Sequence, residues 1–241
     1  MRERGALLGV VPARGGSKRL PRKNVRPLAG RPLIAWTVDA ARASGVLDDV
    51  LVSTDDAEIA EAARAAGASV PWLRPAELAT DTAASVDVLR HALAWHEAER
   101  GPVEAVVLLQ PTSPFRSAAS IRGAVAAFRA QAGGEPQAVA SVSRALQHPA
   151  WCFRIDGEAM QPFLGWEPLR QRSQDLPPAY ALNGAVYVVP AAALRRGAPL
   201  LGPGLRAFVM DDPREALDID DADDWRAAES LAPQLAGERP H

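Results

Sequence analysis

One loop concentrates the cationic chemistry of this chain. From Arg14 to Arg31 there are seven basic residues and no acidic one, and Gly15-Gly16 runs directly into Ser17 and Lys18. Small residues let a backbone approach a ligand and present its N–H groups, while the cations neutralise what is held there. That combination suits a polyphosphate. Composition singles out the same place. Of 27 basic residues only Lys18 and Lys23 are lysines, and the only asparagines are Asn24 and Asn183. A lysine is a compact point charge and an arginine a planar fork, so they are not interchangeable at a phosphate. Lysines kept against a strong drift toward arginine, inside one coherent motif, point to function over chance.

Other clusters carry weaker signals. Asp218 and Asp220 flank Ile219, and in an extended segment residues two apart point the same way, about 7 Å apart. Such a pair can hold a hard cation together with phosphate oxygens and waters, or Asp220 can simply cap the last helix. Gln110-Pro111-Thr112-Ser113-Pro114 offers amide and hydroxyl groups at the end of a strand, as a ligand contact or as a proline-stiffened turn. Arg74 and the run Thr80–Ser85 can touch a base or ribose, or cap a helix at Ser85. Asn183-Gly184 can recognise a small substrate or turn the chain.

Several chemistries find no support. The loop lacks the GxxxxGK[ST] spacing, and no GxGxxG follows the first strand. There is no GxSxG elbow. His91 and His96 do not share a helix face, and Cys152, between Trp151 and Phe153, reads as packing. Direct transfer without a covalent enzyme intermediate is the expectation.

These residues need a scaffold, and the pattern supplies one. Ala6–Ala13, Asp49–Ser53, Ala68–Trp72, Glu104–Leu109, Ala138–Val142, Gly184–Val189 and Arg206–Met210 read as strands. Helices are expected from Pro32 to about Ser44-Gly45, after an Asp55 cap, from Ser85, from Ser117 to about Gln131, around 191–196 and from about Asp221 to Leu231. Alternation of this kind gives an α/β fold with a mostly parallel sheet covered on both faces. In such sheets ligands bind outside the carboxyl ends of the strands, and all the polar clusters above lie there. The alternation breaks at about 145–180, an irregular stretch with Trp151, Phe153, Phe163 and Trp166 that reads as a subdomain or dimer arm. The expected domain is 1–231, with 232–241 as a flexible tail.

The totals agree. At 241 residues with 48% hydrophobic and 23% charged residues, the chain suits one globular domain. A net charge of −2 gives no global field toward nucleic acid or membrane. The single cysteine excludes an internal disulfide and fits a reducing cytosol. No apolar run approaches the roughly 18 residues of a membrane span. A cytoplasmic protein is expected, with no nucleic-acid or membrane partner.

Taken together, these residues resemble the CMP-sialic acid synthetases (acylneuraminate cytidylyltransferases). The family's opening signature, close to PARxxSKxLPxKN, stands here as Pro12-Ala13-Arg14-Gly15-Gly16-Ser17-Lys18-Arg19-Leu20-Pro21-Arg22-Lys23-Asn24. RPAELATDTAAS (74–85), LLQPTSPFR (108–116), LPPAYALNGAVYV (176–188) and LDID (217–220) follow in order, so the match spans about residues 7–225. The resemblance implies a Rossmann-like nucleotidyltransferase that uses CTP to activate a nonulosonic acid to its CMP-sugar, releasing pyrophosphate. Arg14, Gly15, Gly16, Ser17, Lys18 and Lys23 would then bind the triphosphate, with Arg14 and Lys23 catalytic at the α-phosphorus. Asn24, Arg74, Ala83 and Ser85 would hold ribose and cytosine, and Asp218 and Asp220 would carry Mg²⁺. Gln110, Thr112, Tyr180 and Asn183 would face the acceptor acid. The irregular insert would make a homodimer and reach across to the partner's site.

The acceptor branch stays open. Sialate-selective members often carry Pro-Arg-Gln-Gln before the LP pair, whereas this chain has Arg172-Ser173-Gln174-Asp175. Arg170 or Arg172 would therefore bind the acceptor carboxylate. RSQDLP looks like the pseudaminate branch and NGAVY like the sialate and legionaminate branches. Another small acid, such as a phosphonate, and a regulatory nucleotide-binding module without turnover are the alternative functions.

Overall fold

The computed structural model describes residues 5–236. In chain order the elements are β1 (Ala6–Pro12), the short pair β2 (Pro27–Leu28) and β3 (Arg31–Pro32), α1 (Leu33–Ser44), β4 (Asp49–Ser53), α2 (Ala57–Ala65), α3 (Ser85–Arg100), β5 (Val103–Leu108), α4 (Ala118–Arg129), β6 (Val139–Arg144), the hairpin β7 (Phe153–Asp156) and β8 (Ala159–Pro162), β9 (Tyr180–Pro190), α5 (Ala191–Arg195), β10 (Arg206–Val209) and α6 (Ala222–Ala236). The main sheet has six strands in the order β10-β6-β9-β5-β1-β4, parallel except for β9. This is the mostly parallel α/β sheet read from the sequence.

The sheet is buried on both faces because its strands are near-continuous apolar runs. Leu7 and Val11 of β1 pack with α1, α2 and α4 through Ile34, Val38, Ile59, Ile121 and Phe128. Leu8 and Val10 face the other way, onto Leu89 and Leu93 of α3 and Leu194 of α5. A third cluster joins Leu20, Leu28, Leu33 and Trp36 to Ile219, Trp225, Ala228 and Ala232. It anchors the basic loop and the Asp218-Ile219-Asp220 segment on α6. The chain moves outward from β1 to β4, then returns past β1 to β5, so the order reverses between β1 and β5. A ligand crevice belongs at the carboxyl ends there.

Four expectations are corrected. Ala68–Trp72 is not a strand; it makes one isolated bridge, Ser69 to Leu51, and Pro71 cannot donate to a ladder. The helix cap is Asp56 rather than Asp55, with Asp56 Oδ1 accepting from Glu58 N at 2.8 Å and Ile59 N at 3.1 Å. Adjacent aspartates made the register ambiguous. β9 begins at Tyr180, well before Gly184, because a bulge lets pairing with β6 continue past it. Finally α6 runs to Ala236 with Ala232 buried, so the ordered chain extends beyond Leu231; 237–241 lie outside the described residues. The segment 145–180 is the two-stranded hairpin plus short turns, and it exposes Ile155, Met160, Phe163 and Trp166. Among the described residues no helix is long and apolar enough to cross a membrane.

Candidate functional site

A crevice of about 500 Å³ opens at the β1/β5 switch point, within the size range of small-molecule sites. Of the residues singled out by sequence, Arg14, Ser17, Lys18, Lys23, Asn24, Arg74, Ala83, Ser85, Gln110, Thr112 and Asp220 line it. Arg14 to Asn24 come from the loop after β1, Arg74 to Ser85 from the approach to α3, and Gln110 and Thr112 from the turn after β5. Separate stretches of chain thus meet at one place because each follows a strand of the same sheet or leads into a helix packed on it.

Within the basic loop, Asn24 Nδ2 donates to Arg14 O at 3.1 Å and so closes the loop on itself. Gly15 is required by close approach: a Cβ there would lie 2.7 Å from Asp56 Oδ2. Its N–H donates to Asp55 Oδ1 at 3.1 Å. The Gly15 amide, expected to face phosphate, is therefore engaged by the next loop; a Cβ at Gly16 would meet open space. Neither glycine lines the crevice.

Lys23 is buried, and its ammonium donates to Ile219 O at 2.6 Å with Asp220 Oδ1 3.7 Å away. Burial pushes its pKa below the ordinary lysine value, while Asp220 and Asp218 oppose that shift. Ile219 N donates in turn to Thr112 O at 2.8 Å. Ile219 is wholly buried, so Asp218 and Asp220 on either side of it are turned outward and exposed. Asp220 lines the crevice; Asp218 does not. No group of three or more His, Cys, Asp or Glu suited to a metal occurs among the described residues. Two carboxylates fit a cation that takes its other ligands from phosphate and water, which is the habit of Mg²⁺.

Two buried polar atoms of the crevice residues have no hydrogen-bond partner, Asn24 Oδ1 and Arg74 Nε. Arg74 is otherwise fixed, with Nη2 donating to Ser53 O at 3.0 Å and Nη1 to Leu78 O at 3.3 Å. Burial lowers its pKa from the arginine value, with Asp55 opposing. Orphaned buried groups call for a partner, and a ligand in the crevice can supply one.

The remaining predicted residues stand elsewhere. Arg170 pairs with Glu167 at 3.5 Å and Arg172 with Asp175 at 2.8 Å, all exposed in the insert. Tyr180 is 49% exposed at the start of β9. Asn183 is not a free recognition group, contrary to expectation. Its Oδ1 accepts from Ser141 Oγ at 2.6 Å and Ala185 N at 3.1 Å, and its Nδ2 donates to Ser143 Oγ at 2.9 Å. It clamps the bulge in β9. That role depends on a neighbouring strand, so no local pattern could reveal it.

Sequence reasoning also missed residues. Asp81 pairs with both Arg14 and Lys18, and those two cations hold its carboxyl below the usual range. Arg19 lines the crevice and lies 3.4 Å from Asp220 Oδ2. Arg116 is wholly buried beside the turn after β5. Nothing local in the sequence marks Asp81; its pairing with Arg14 and Lys18 comes from the fold.

Comparison with known proteins follows the same geometry. A family model described as cytidylyltransferase matches residues 8–148. The chain is 39% identical to a CMP-N,N′-diacetyllegionaminic acid synthase of Legionella pneumophila, covering 93% of this chain and 95% of that protein. It is 31% identical to a pseudaminic acid cytidylyltransferase of Campylobacter jejuni, with 93% and 95% covered. It is 34% identical to an N-acylneuraminate cytidylyltransferase of Escherichia coli over 93% of this chain, but spans only 52% of that longer protein. A solved structure of a CMP-2-keto-3-deoxy-manno-octonic acid synthetase complexed with CTP superposes with a TM-score of 0.69 at 17% identity, covering 95% of this chain and 99% of that one. At that identity the likeness bears on the fold.

Proposed function

The chain belongs to the cytidylyltransferase family, and from that premise we propose that it transfers the CMP moiety of CTP to a nonulosonic acid, releasing pyrophosphate. The observation that carries the reading is the convergence of Arg14, Lys18, Arg19 and Lys23 with Asp220 in one crevice at the β1/β5 switch point. The acceptor hydroxyl gives its proton to water as its oxygen attacks the α-phosphorus of CTP, and the bond from that phosphorus to the pyrophosphate oxygen breaks. Charge builds on the phosphoryl oxygens and the leaving group, so catalysis requires positioning and cations rather than an enzyme nucleophile.

The residues divide the work. Arg14, Ser17, Lys18 and Arg19 receive the triphosphate, and Asp81 leaves Arg14 and Lys18 as it enters. Lys23 steadies charge near the α-phosphorus and holds Ile219 O, which keeps Asp218 and Asp220 outward. Those two carboxylates would hold Mg²⁺, which as a Lewis acid lowers the pKa of a bound hydroxyl and neutralises pyrophosphate. The partnerless atoms of Asn24 and Arg74, with Ala83 and Ser85, meet the nucleoside. Gln110 and Thr112 face the acceptor. Arg170, Arg172 and Tyr180 act on the acceptor of a partner chain: the hairpin's exposed apolar residues form a homodimer contact and carry the arginines across. The supply of CTP puts the reaction in the cytoplasm.

The test is pyrophosphate release with CTP and Mg²⁺ on N,N′-diacetyllegionaminic, pseudaminic and N-acetylneuraminic acids, each against a control without acid. Release with at least one acid, and none in its control, is expected. Silence with all three while CTP binds would exclude these acceptors and favour another small acid. Absence of CTP binding would overturn the reading.

A further inference from the structure

Gln110 is held from two directions by residues that do not line the crevice. Its carbonyl accepts a hydrogen bond from Arg116 Nη2, and Arg116 is wholly buried. The same guanidinium donates from Nε to Ala185 O at 2.7 Å and from Nη1 to Thr37 Oγ1 at 2.9 Å. One planar fork therefore ties the turn after β5 to β9 and to α1, a geometry that a lysine cannot reproduce. From the other side the Gln110 amide lies over Gly184, where a Cβ would stand 2.6 Å from Gln110 Oε1. Gly184 holds φ +71°, within the bulge that Asn183 clamps.

We propose that Arg116 and Gly184 are positioning residues for Gln110, fixing its amide on the acceptor side of the crevice so that acceptor affinity is set separately from nucleotide affinity. The proposal rests on the reading of Gln110 as an acceptor contact. A side chain at 184 would press on the end of Gln110 and stand 3.6 Å from Ser113 Oγ, and at φ +71° it would also strain the backbone; the Gln110 amide, at 2.6 Å, must move. Arg116 acts on the other end of the same residue by fixing where its backbone turns.

The experiment is a double-mutant cycle in KM for whichever of the three acids named above the wild-type enzyme turns over fastest, with Kd for CTP by calorimetry alongside. Gly184→Ala and Gln110→Ala should each raise the acceptor KM about tenfold and leave the CTP Kd within about twofold. The double variant should be no worse than Gln110→Ala alone, because a displaced amide is already gone. Arg116→Lys should raise the same KM and spare CTP binding. Effects that multiply in the double variant, or CTP affinity that falls together with acceptor affinity in Gly184→Ala, would overturn the positioning role while leaving Gln110 as an acceptor contact. An unchanged KM in Gln110→Ala would overturn that contact and the proposal with it.

Discussion

The two sides of the crevice are built differently. On the side proposed for the nucleotide, Arg14, Lys18, Lys23, Asn24 and Arg74 converge within one chain, and Lys23, Asn24 and Arg74 are buried. On the side proposed for the acceptor, Gln110 and Thr112 line the crevice, while Arg170 and Arg172 lie in the exposed insert and pair locally with Glu167 and Asp175. Exposed ion pairs of that kind are weak, about 0–1 kcal/mol, and are easily exchanged for a carboxylate ligand. Side chains fixed by packing are ready for a ligand from the start; side chains on an unpacked arm take their position from what the arm docks against. Under the proposed function, nucleotide binding is a property of one chain and acceptor binding a property of two.

The sharpest way to break the nucleotide side is Asp220→Ala. It removes a proposed metal ligand and the carboxylate facing both Lys23 and Arg19, and kcat should fall by about 100-fold or more with loss of the response to Mg²⁺. Turnover and Mg²⁺ dependence measured by pyrophosphate release decide it; unchanged values would remove Asp220 from the site.

Lys23→Ala should lower kcat by at least about tenfold, and unchanged turnover would take Lys23 out of the chemistry. Lys23 also leaves a mark on stability. Burial holds its folded pKa below the ordinary lysine value of 10.5, so in the window between the lowered value and 10.5 the unfolded chain binds more protons than the native one. Wild-type stability should therefore rise with pH through that window relative to Lys23→Met, as urea titrations at several pH values would reveal. A parallel pair of pH profiles would contradict the burial effect.

The acceptor side is broken from the insert. If the proposed homodimer forms through the hairpin, wild type should sediment as a dimer and Phe163→Asp with Trp166→Arg as a monomer, with the acceptor KM raised about tenfold and the CTP Kd within about twofold. An intact dimer would move the interface elsewhere. The smallest effect should come from Asp81→Asn. Removing the internal anion from Arg14 and Lys18 should tighten CTP binding about threefold by calorimetry. Weaker binding would mean that Asp81 orients the two cations rather than competing for them.

Legibility in the sequence followed the same division. The strands of the sheet and the clusters at their carboxyl ends could be read because periodicity, loop charge and residue type are local properties. The i, i+2 spacing of Asp218 and Asp220 already implied that both carboxylates point the same way. What could not be read depended on a second segment. The Asn183 amide is engaged by Ser141 and Ser143 of β6, and the Gly15 amide by Asp55 after β4. Ala68–Trp72 has strand composition but lacks a ladder beyond Ser69. Asp81 reads as an ordinary loop acid until the fold brings Arg14 and Lys18 against it.

Mixing two inactive variants tests the central claim directly. Lys23→Ala disables a crevice and leaves its insert intact; Arg170→Ala with Arg172→Ala disables an insert and leaves its crevice intact. If inserts act across the dimer, random re-pairing after mild denaturation restores one working site in each mixed dimer, about a quarter of wild-type activity at equal mixing. Pyrophosphate release recovering to that level is the predicted result. Activity no greater than the sum of the separate variants, with mixed dimers shown to form, would contradict a site completed by two chains.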